Sequence, residues 1–152
     1  MQITRQADYA LRAVLYLARL EPGRKEPTSR IAEERHIPPS FLAKIISQLA
    51  IAELITTSRG AHGGVALSKS PGEISILEVV EAIDGPIGLN DCTQDPKDCV
   101  FGEDCPLRMV WCGTQDELVD RLRATTFAKF IDADLLQRWM TYNKQKPIKR
   151  GT

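Results

Sequence analysis

Two adjacent prolines, Pro38 and Pro39, restrict the folding of this chain more than any other pair of residues. Proline lacks an amide hydrogen and fixes φ, so it is tolerated in the first turn of a helix and not in its interior. A helix must therefore begin at this pair. Leu42, Ile45, Ile46 and Leu49 then recur at helical spacing on one side, which carries the helix to about Ala52. Upstream, Thr28 or Ser29 is placed to cap a short helix through Arg35 that buries Ile31 and Ala32, leaving His36-Ile37 for the turn. Two short helices joined by a tight turn, the second the longer, form a helix-turn-helix pattern.

The flanking segments extend this pattern. From Arg5 to about Leu20, the residues Ala7, Ala10, Leu11, Val14, Leu15, Leu17 and Ala18 mark a helix with one buried stripe, which Pro22-Gly23 ends. After the helix-turn-helix, LITTS and VALSKS flank the glycine-rich RGAHGG and read as a β-hairpin, which in this position is a wing. Ser75–Asp84 is another amphipathic helix, with Ile76, Val79, Val80 and Ile83 facing inward. Gly85–Cys105 reads as loop. A long helix is expected over Pro106–Phe130 with Val110, Leu118, Leu122 and Thr125 on one face, and a short one over Ala133–Tyr142. The expected architecture is mainly α with a small β-hairpin wing. It divides into a winged helix-turn-helix domain (1–84), a cysteine-rich loop (85–105), dimerisation helices (106–142) and a disordered basic tail (143–152).

Apolar residues make up 43% of the chain, enough for a core, and no stretch approaches a membrane span. A cytoplasmic protein with no membrane partner is expected. The zero net charge conceals an asymmetry. Residues 1–70 carry 10 Lys/Arg against 6 Asp/Glu, and residues 71–152 carry 10 against 14. The basic half suits a phosphate-rich partner. The only histidines, His36 and His62, have no catalytic neighbour in sequence, and no phosphate loop, nucleophile elbow or paired-carboxylate motif is present. Neither an enzyme nor a small-molecule substrate is expected.

The cysteines point to a further chemistry. Cys92, Cys99 and Cys105 lie in one C-x6-C-x5-C stretch, Cys112 follows, and there are no others. In a reducing compartment such clustering favours metal or redox chemistry over structural disulfides. Three thiolates on a polar loop suit an iron–sulfur cluster. Zinc is a competing reading, although it usually takes four Cys/His ligands with close C-x2–4-C pairs, which are absent here. A metal-free thiol switch is another.

ADYALRAVLYLA, KIISQLAIAELITTSRGAHGG, ISILEVVEAIDGP, the three-cysteine loop, CPLRMVW and TTFAKF occur in this order over residues 1–131. This arrangement resembles the IscR/NsrR family of bacterial winged-helix transcription regulators. Val65 departs from it, since many members place an aromatic residue after the glycine pair. The resemblance implies a homodimer paired through its long C-terminal helices, an iron–sulfur cluster on the cysteine loop, and DNA affinity that depends on cluster state. A four-iron cluster is favoured, with a two-iron cluster as the alternative. Nitric oxide, redox or iron–sulfur status would be the signal. Cys92, Cys99 and Cys105 would be three ligands. Asp8, in QADYALR, resembles the aspartate that NsrR-type members supply from the other subunit. It also lies four residues before Arg12, where an ordinary surface ion pair would explain it. IscR-type members use a histidine three residues after the third cysteine, a position held here by Arg108. Cys112 is a less favoured fourth ligand.

A recognition helix presents its N-terminal residues to base edges in the major groove. The outward positions here are Pro39, Ser40, Ala43 and Lys44, with Phe41 at the edge. In the wing, Arg59, Gly60, His62 and Gly63 form an exposed tip suited to the sugar-phosphate backbone or a narrow minor groove. Thr28 and Ser29 are candidates for a phosphate at a helix N-terminus. The expected partner is a near-palindromic double-stranded DNA operator, with repression the expected outcome. The same fold sensing cysteine metabolism or oxidants through bare thiols, and a zinc-stabilised DNA-binding protein, are the alternatives.

Overall fold

The computed structural model describes residues 2–146. Its elements are α1 (Arg5–Ala18), α2 (Thr28–Arg35), α3 (Pro39–Ile51), β1 (Ile55–Ser58), β2 (Gly64–Leu67), α4 (Ile76–Asp84), α5 (Asp91–Gln94), α6 (Pro106–Ala124) and α7 (Ala133–Gln145). Short 3-10 turns occupy Pro71–Glu73, Pro96–Asp98, Gly102–Asp104 and Phe127–Phe130. Among the described residues no helix is long and apolar enough to cross a membrane. The fold is mainly α with a two-stranded antiparallel hairpin, as the sequence led us to expect.

The core is built around α1. Ala7, Ala10, Ala13, Val14, Leu17 and Ala18 are all buried, and small side chains at four of these six positions let the neighbouring helices approach closely. Ile31, Leu42, Ile45, Leu49, Val65 and Val79 close over them from α2, α3, β2 and α4. The hairpin pairs Ile55 with Leu67 and Ser58 with Gly64. A third segment extends it: Glu26 N–H donates to Val65 O at 2.9 Å, and Val65 N–H returns to Glu26 O at 2.8 Å. Gly64 is needed beside this bridge, because a Cβ there would lie 2.7 Å from Glu26 O.

Helix α4 begins where expected, with a reciprocal capping box. Glu78 N–H donates to Ser75 Oγ at 3.1 Å, and Ser75 N–H donates to Glu78 Oε2 at 2.8 Å. Its buried face is rotated slightly from the expected one. Leu77, Val79 and Val80 are buried, while Ile76 and Ile83 are only partly covered. Leu77, Val80 and Ile87 form a second, smaller cluster that packs against Leu118, Val119 and Leu122 of α6. Leu118 and Leu122 thus share a packed face as expected, whereas Val110 is exposed.

Two expected boundaries are corrected. Helix α6 stops at Ala124 rather than continuing to Phe130. Thr125 turns extended, its carbonyl accepts the first free N–H of α4, from Ile76, at 2.9 Å, and Phe127 N–H donates to Ile74 O at 3.0 Å. A helix N-terminus has unpaired donors to satisfy, and here they recruit the chain that follows α6. Phe127 is buried as a result.

The second concerns α7, expected over Ala133–Tyr142, which runs to Gln145 and packs into the main core. Leu135 and Trp139 enter the main core, and Trp139 Nε1–H donates to Ala18 O at 3.2 Å. Arg138 forks onto Glu21 with two contacts of 3.1 Å, and Tyr142 lies against Gly23, where a Cβ would meet its hydroxyl at 2.6 Å. The α7 helix also includes Asn143–Gln145, which the sequence assigned to a disordered tail; the rest of that segment, from 147 on, lies outside the described residues.

Trp139→Ala is expected to lower the free energy of unfolding by about 3–5 kcal/mol, seen as a lower urea midpoint with the slope unchanged. An unchanged midpoint would mean that α7 is not part of the cooperative unit.

Candidate nucleic-acid interface and cysteine loop

The helix-turn-helix is built as its sequence requires. His36 ends α2 in the left-handed conformation (φ 53°), and Ile37 is buried with its N–H on Ala32 O at 2.9 Å. Pro38 precedes α3 and Pro39 opens it. Pro39, Ser40, Phe41, Ala43 and Lys44 all lie on its exposed side. Phe41 is 47% exposed, and its ring meets Tyr9 of α1 edge-on at 6.0 Å. This contact fixes the first turn of α3 to α1.

Thr28 and Ser29 are placed differently from expectation. Pro27 occupies the N-cap position and offers no side-chain acceptor, so Thr28 and Ser29 stand inside the first turn of α2 and do not cap it. Ser29 is exposed and Thr28 half-buried. At the wing tip Arg59, Gly60 and His62 are exposed and Gly63 is half-buried; Gly63 N–H closes the turn onto Gly60 O at 3.0 Å. Among the described residues neither Lys44 nor Arg59 is in an ion pair. Sequence reasoning missed Glu26, a buried carboxylate beneath the wing that accepts from Tyr16 Oη at 3.1 Å. Burial, and then this hydrogen bond, raise the Tyr16 hydroxyl above its usual pKa. Nothing local in the sequence signals this burial, which follows from the backbone bridge to Val65.

The cysteine segment is more structured than a loop. Asn90 caps α5, Asp95 accepts from Lys97 N–H at 2.9 Å, and Pro96 opens the next turn. Cys92 lies in α5 and is buried, Cys99 follows the second turn, Cys105 occupies the N-cap position of α6, and Cys112 lies within that helix. All four are free thiols. Arg108 Nε–H donates to Cys92 O at 3.0 Å, and Leu89 N–H donates to Gln115 Oε1 at 3.0 Å, so the segment is fastened to α6. A guanidinium has no lone pair to offer a metal. Arg108 therefore closes the loop and cannot replace a ligating histidine.

The donor chemistry suits an iron–sulfur cluster, since three free thiols fall within one short polar segment. The arrangement described does not gather them. Among the described residues no three Cys, His, Asp or Glu side chains converge as metal ligands. Asp8 is half-buried in the first turn of α1 and pairs with Arg12 at 2.6 Å. An exposed pair of this kind is worth only about 0–1 kcal/mol, so it would not bar Asp8 from another partner. The N-terminus of α1 is tied to the last residue of α4, just before the cysteine segment, because Thr4 Oγ1–H donates to Asp84 Oδ1 at 2.5 Å.

A helix-turn-helix with an adjoining wing and a long C-terminal helix defines a winged-helix DNA-binding regulator. The chain is 34% identical over 134 residues to an HTH-type transcriptional regulator of Mycobacterium tuberculosis, covering 84% of this chain and 80% of that one. The chain belongs to the Rrf2 family, described as iron-dependent transcriptional regulators, which matches residues 3–133. Among solved structures it is similar to CymR, the global cysteine regulator of B. subtilis, with TM-score 0.73 and 24% identity over 87% of this chain and 99% of that one. It is also similar to IscR of T. potens, with TM-score 0.66 and 20% identity over 97% and 93%. At these identities the two structures establish the fold alone.

Proposed function

We propose that this transcriptional regulator is a homodimeric repressor that reads a near-palindromic operator through α3 and the wing. DNA affinity would be set by an iron–sulfur cluster on Cys92, Cys99 and Cys105. The observation that carries the sensing part is the position of the thiols. They lie on the one segment that joins the winged domain to α6, fastened to α6 through Arg108 and beginning directly after Asp84 of α4, which is bonded to Thr4 before α1. Asp8 of a second copy is the favoured fourth ligand. Bound there, the cluster would supply an oxidant- and nitric-oxide-reactive centre.

Dimerisation is proposed through α6. None of its residues is buried in the single chain, and Leu107, Val110 and Trp111 form an exposed apolar stripe in its first turns. A second reading of the same fold, a bare-thiol sensor, draws on the arrangement of the thiols, which are all free and not gathered round one point. In either case Lys44 and Arg59 are proposed to contact DNA, with Ser40 and the first turn of α2 (Thr28, Ser29) beside them.

Three outcomes are expected. Lys44→Ala and Arg59→Ala should each reduce the slope of log K against log salt by about 1, measured by fluorescence anisotropy. An unchanged slope for Arg59→Ala would remove the wing tip from the interface. Protein purified without oxygen should be brown and carry about four irons and four sulfides per subunit. Asp8→Ala should destabilise that cluster and shift its absorption, whereas a colourless protein that cannot be reconstituted would shift the assignment to thiol or zinc chemistry. Val110→Asp should convert the dimer to a monomer by light scattering, because a carboxylate is costly to bury in an apolar seam. A variant that remains dimeric would place the interface elsewhere.

A further inference from the structure

Glu26 is the only carboxylate residue buried among the described residues, at 3% exposure. A buried carboxylate destabilises unless it is paired, and an apolar side chain of similar volume often serves stability better. The pairing here is loose. Tyr16 donates one hydrogen bond, while Arg24 Nη2 and Arg30 Nε stand 3.7 and 3.8 Å from the two oxygens. The carboxylate does one thing an apolar residue could not, which is to hold two guanidiniums in place. Both arginine side chains remain more than half exposed, at 54% and 57%.

Their location gives that arrangement a use. Glu26 is paired through its backbone to Val65 of the wing, and Arg30 stands in the first turn of α2 next to exposed Ser29. The two guanidiniums therefore mark the seam between wing and helix-turn-helix. Arg35 covers the Tyr16 ring at 5.1 Å, and the two guanidiniums on the one carboxylate leave an excess of positive charge. The loop bearing Arg24 is held from outside by α7, through Arg138 on Glu21 and Tyr142 on Gly23.

We propose that Glu26 is a positioning residue, and that Arg24 and Arg30, which it holds, form a second, sequence-independent contact to a backbone phosphate of duplex DNA. The inference rests on the DNA-binding reading above. Guanidinium forks match phosphate oxygens, and orienting them before binding lowers the side-chain entropy lost on contact. Glu34, one turn beyond Arg30 on α2, offsets part of its charge, so Arg24 is expected to contribute more.

The test is a titration of a fluorescein-labelled mixed-sequence duplex by the full chain, from about 50 to 200 mM salt. Arg24→Ala and Arg30→Ala should each lower the salt slope by about 1, with Arg123→Ala on α6 as a control that leaves it unchanged. Glu26→Gln gives the discriminating sign. Removing a negative charge alone would tighten DNA binding; loss of positioning weakens it and lowers the slope. If Glu26→Gln does not fold, Tyr16→Phe removes the hydrogen bond to Glu26 and should weaken binding in the same direction. Wild-type slopes in both arginine variants would overturn the clamp, and tighter binding by Glu26→Gln would overturn the positioning role. Failure of the wild type to bind the duplex at the lowest salt would overturn the DNA-binding reading itself.

Discussion

The packing of α1 is the interaction on which the rest of the structure depends. Its face is made from alanines at positions 7, 10, 13 and 18, with Val14 and Leu17 between them, and all six are buried. Alanine gives up little side-chain entropy on burial and lets a neighbouring backbone come close. Helices α2, α3 and α4, strand β2 and the turn at 127–130 therefore all pack on this one helix. Trp139 closes the end of the same helix by bonding to the carbonyl of Ala18. A larger residue at Ala10 or Ala13 would strain several interfaces at once, because overpacking a filled core forces its neighbours to move.

That centrality also makes α1 a mechanical link. At one end Thr4 bonds to Asp84, where the cysteine segment begins. In the first turns Asp8 pairs with Arg12, Arg12 stacks over Tyr9 at 5.5 Å, and Tyr9 meets Phe41 at the start of α3. Further along, Tyr16 reaches Glu26 beneath the wing. Each contact is modest by itself. Together they mean that α1 is in contact with the end of α4 just before the cysteine segment, with the proposed recognition helix and with Glu26 beneath the wing.

How far the sequence revealed this depends on where the decisive partners lie. The start of α3 could be read because Pro38 and Pro39 act locally, and the hairpin because Arg59–Gly64 is its own turn signal. The start of α4 was equally local, and the structure adds that Ser75 and Glu78 satisfy each other there. The end of α6 was not, because Thr125 leaves the helix to accept from Ile76, a residue far away in sequence. Trp139 stands in QRWMTYN with few apolar neighbours, and the open end of α1 gives it a core to enter. Glu26, in the charged run RKEP, looked like a solvated loop residue; its burial comes from the backbone bridge to Val65. The cysteines were legible as chemistry, and the short turns that now separate them were not, because Asn90, Asp95 and Pro96 also suit an open loop.

The small cluster between α4 and α6 sets the terms on which the cysteine segment could act as a switch. Ile87 opens that segment and is packed with Leu77 and Val80 against Leu118, Val119 and Leu122. Gathering three thiolates round one centre would require the turns at 96–98 and 102–104 to rearrange between fixed ends, at Ile87 and at Cys105 on the first turn of α6. Strain of this kind would, under the proposed function, bear on the α4–α6 seam, whose cluster is much smaller than the main core. Under the proposed function the seam then has two packings, and DNA would bind one of them better. Linkage makes the effect reciprocal: a tenfold change in DNA affinity on cluster binding, about 1.4 kcal/mol, requires DNA to change cluster retention tenfold as well. A regulator built in this way would hold its cluster differently on and off the operator, so the signal it registers would depend on where the protein is bound.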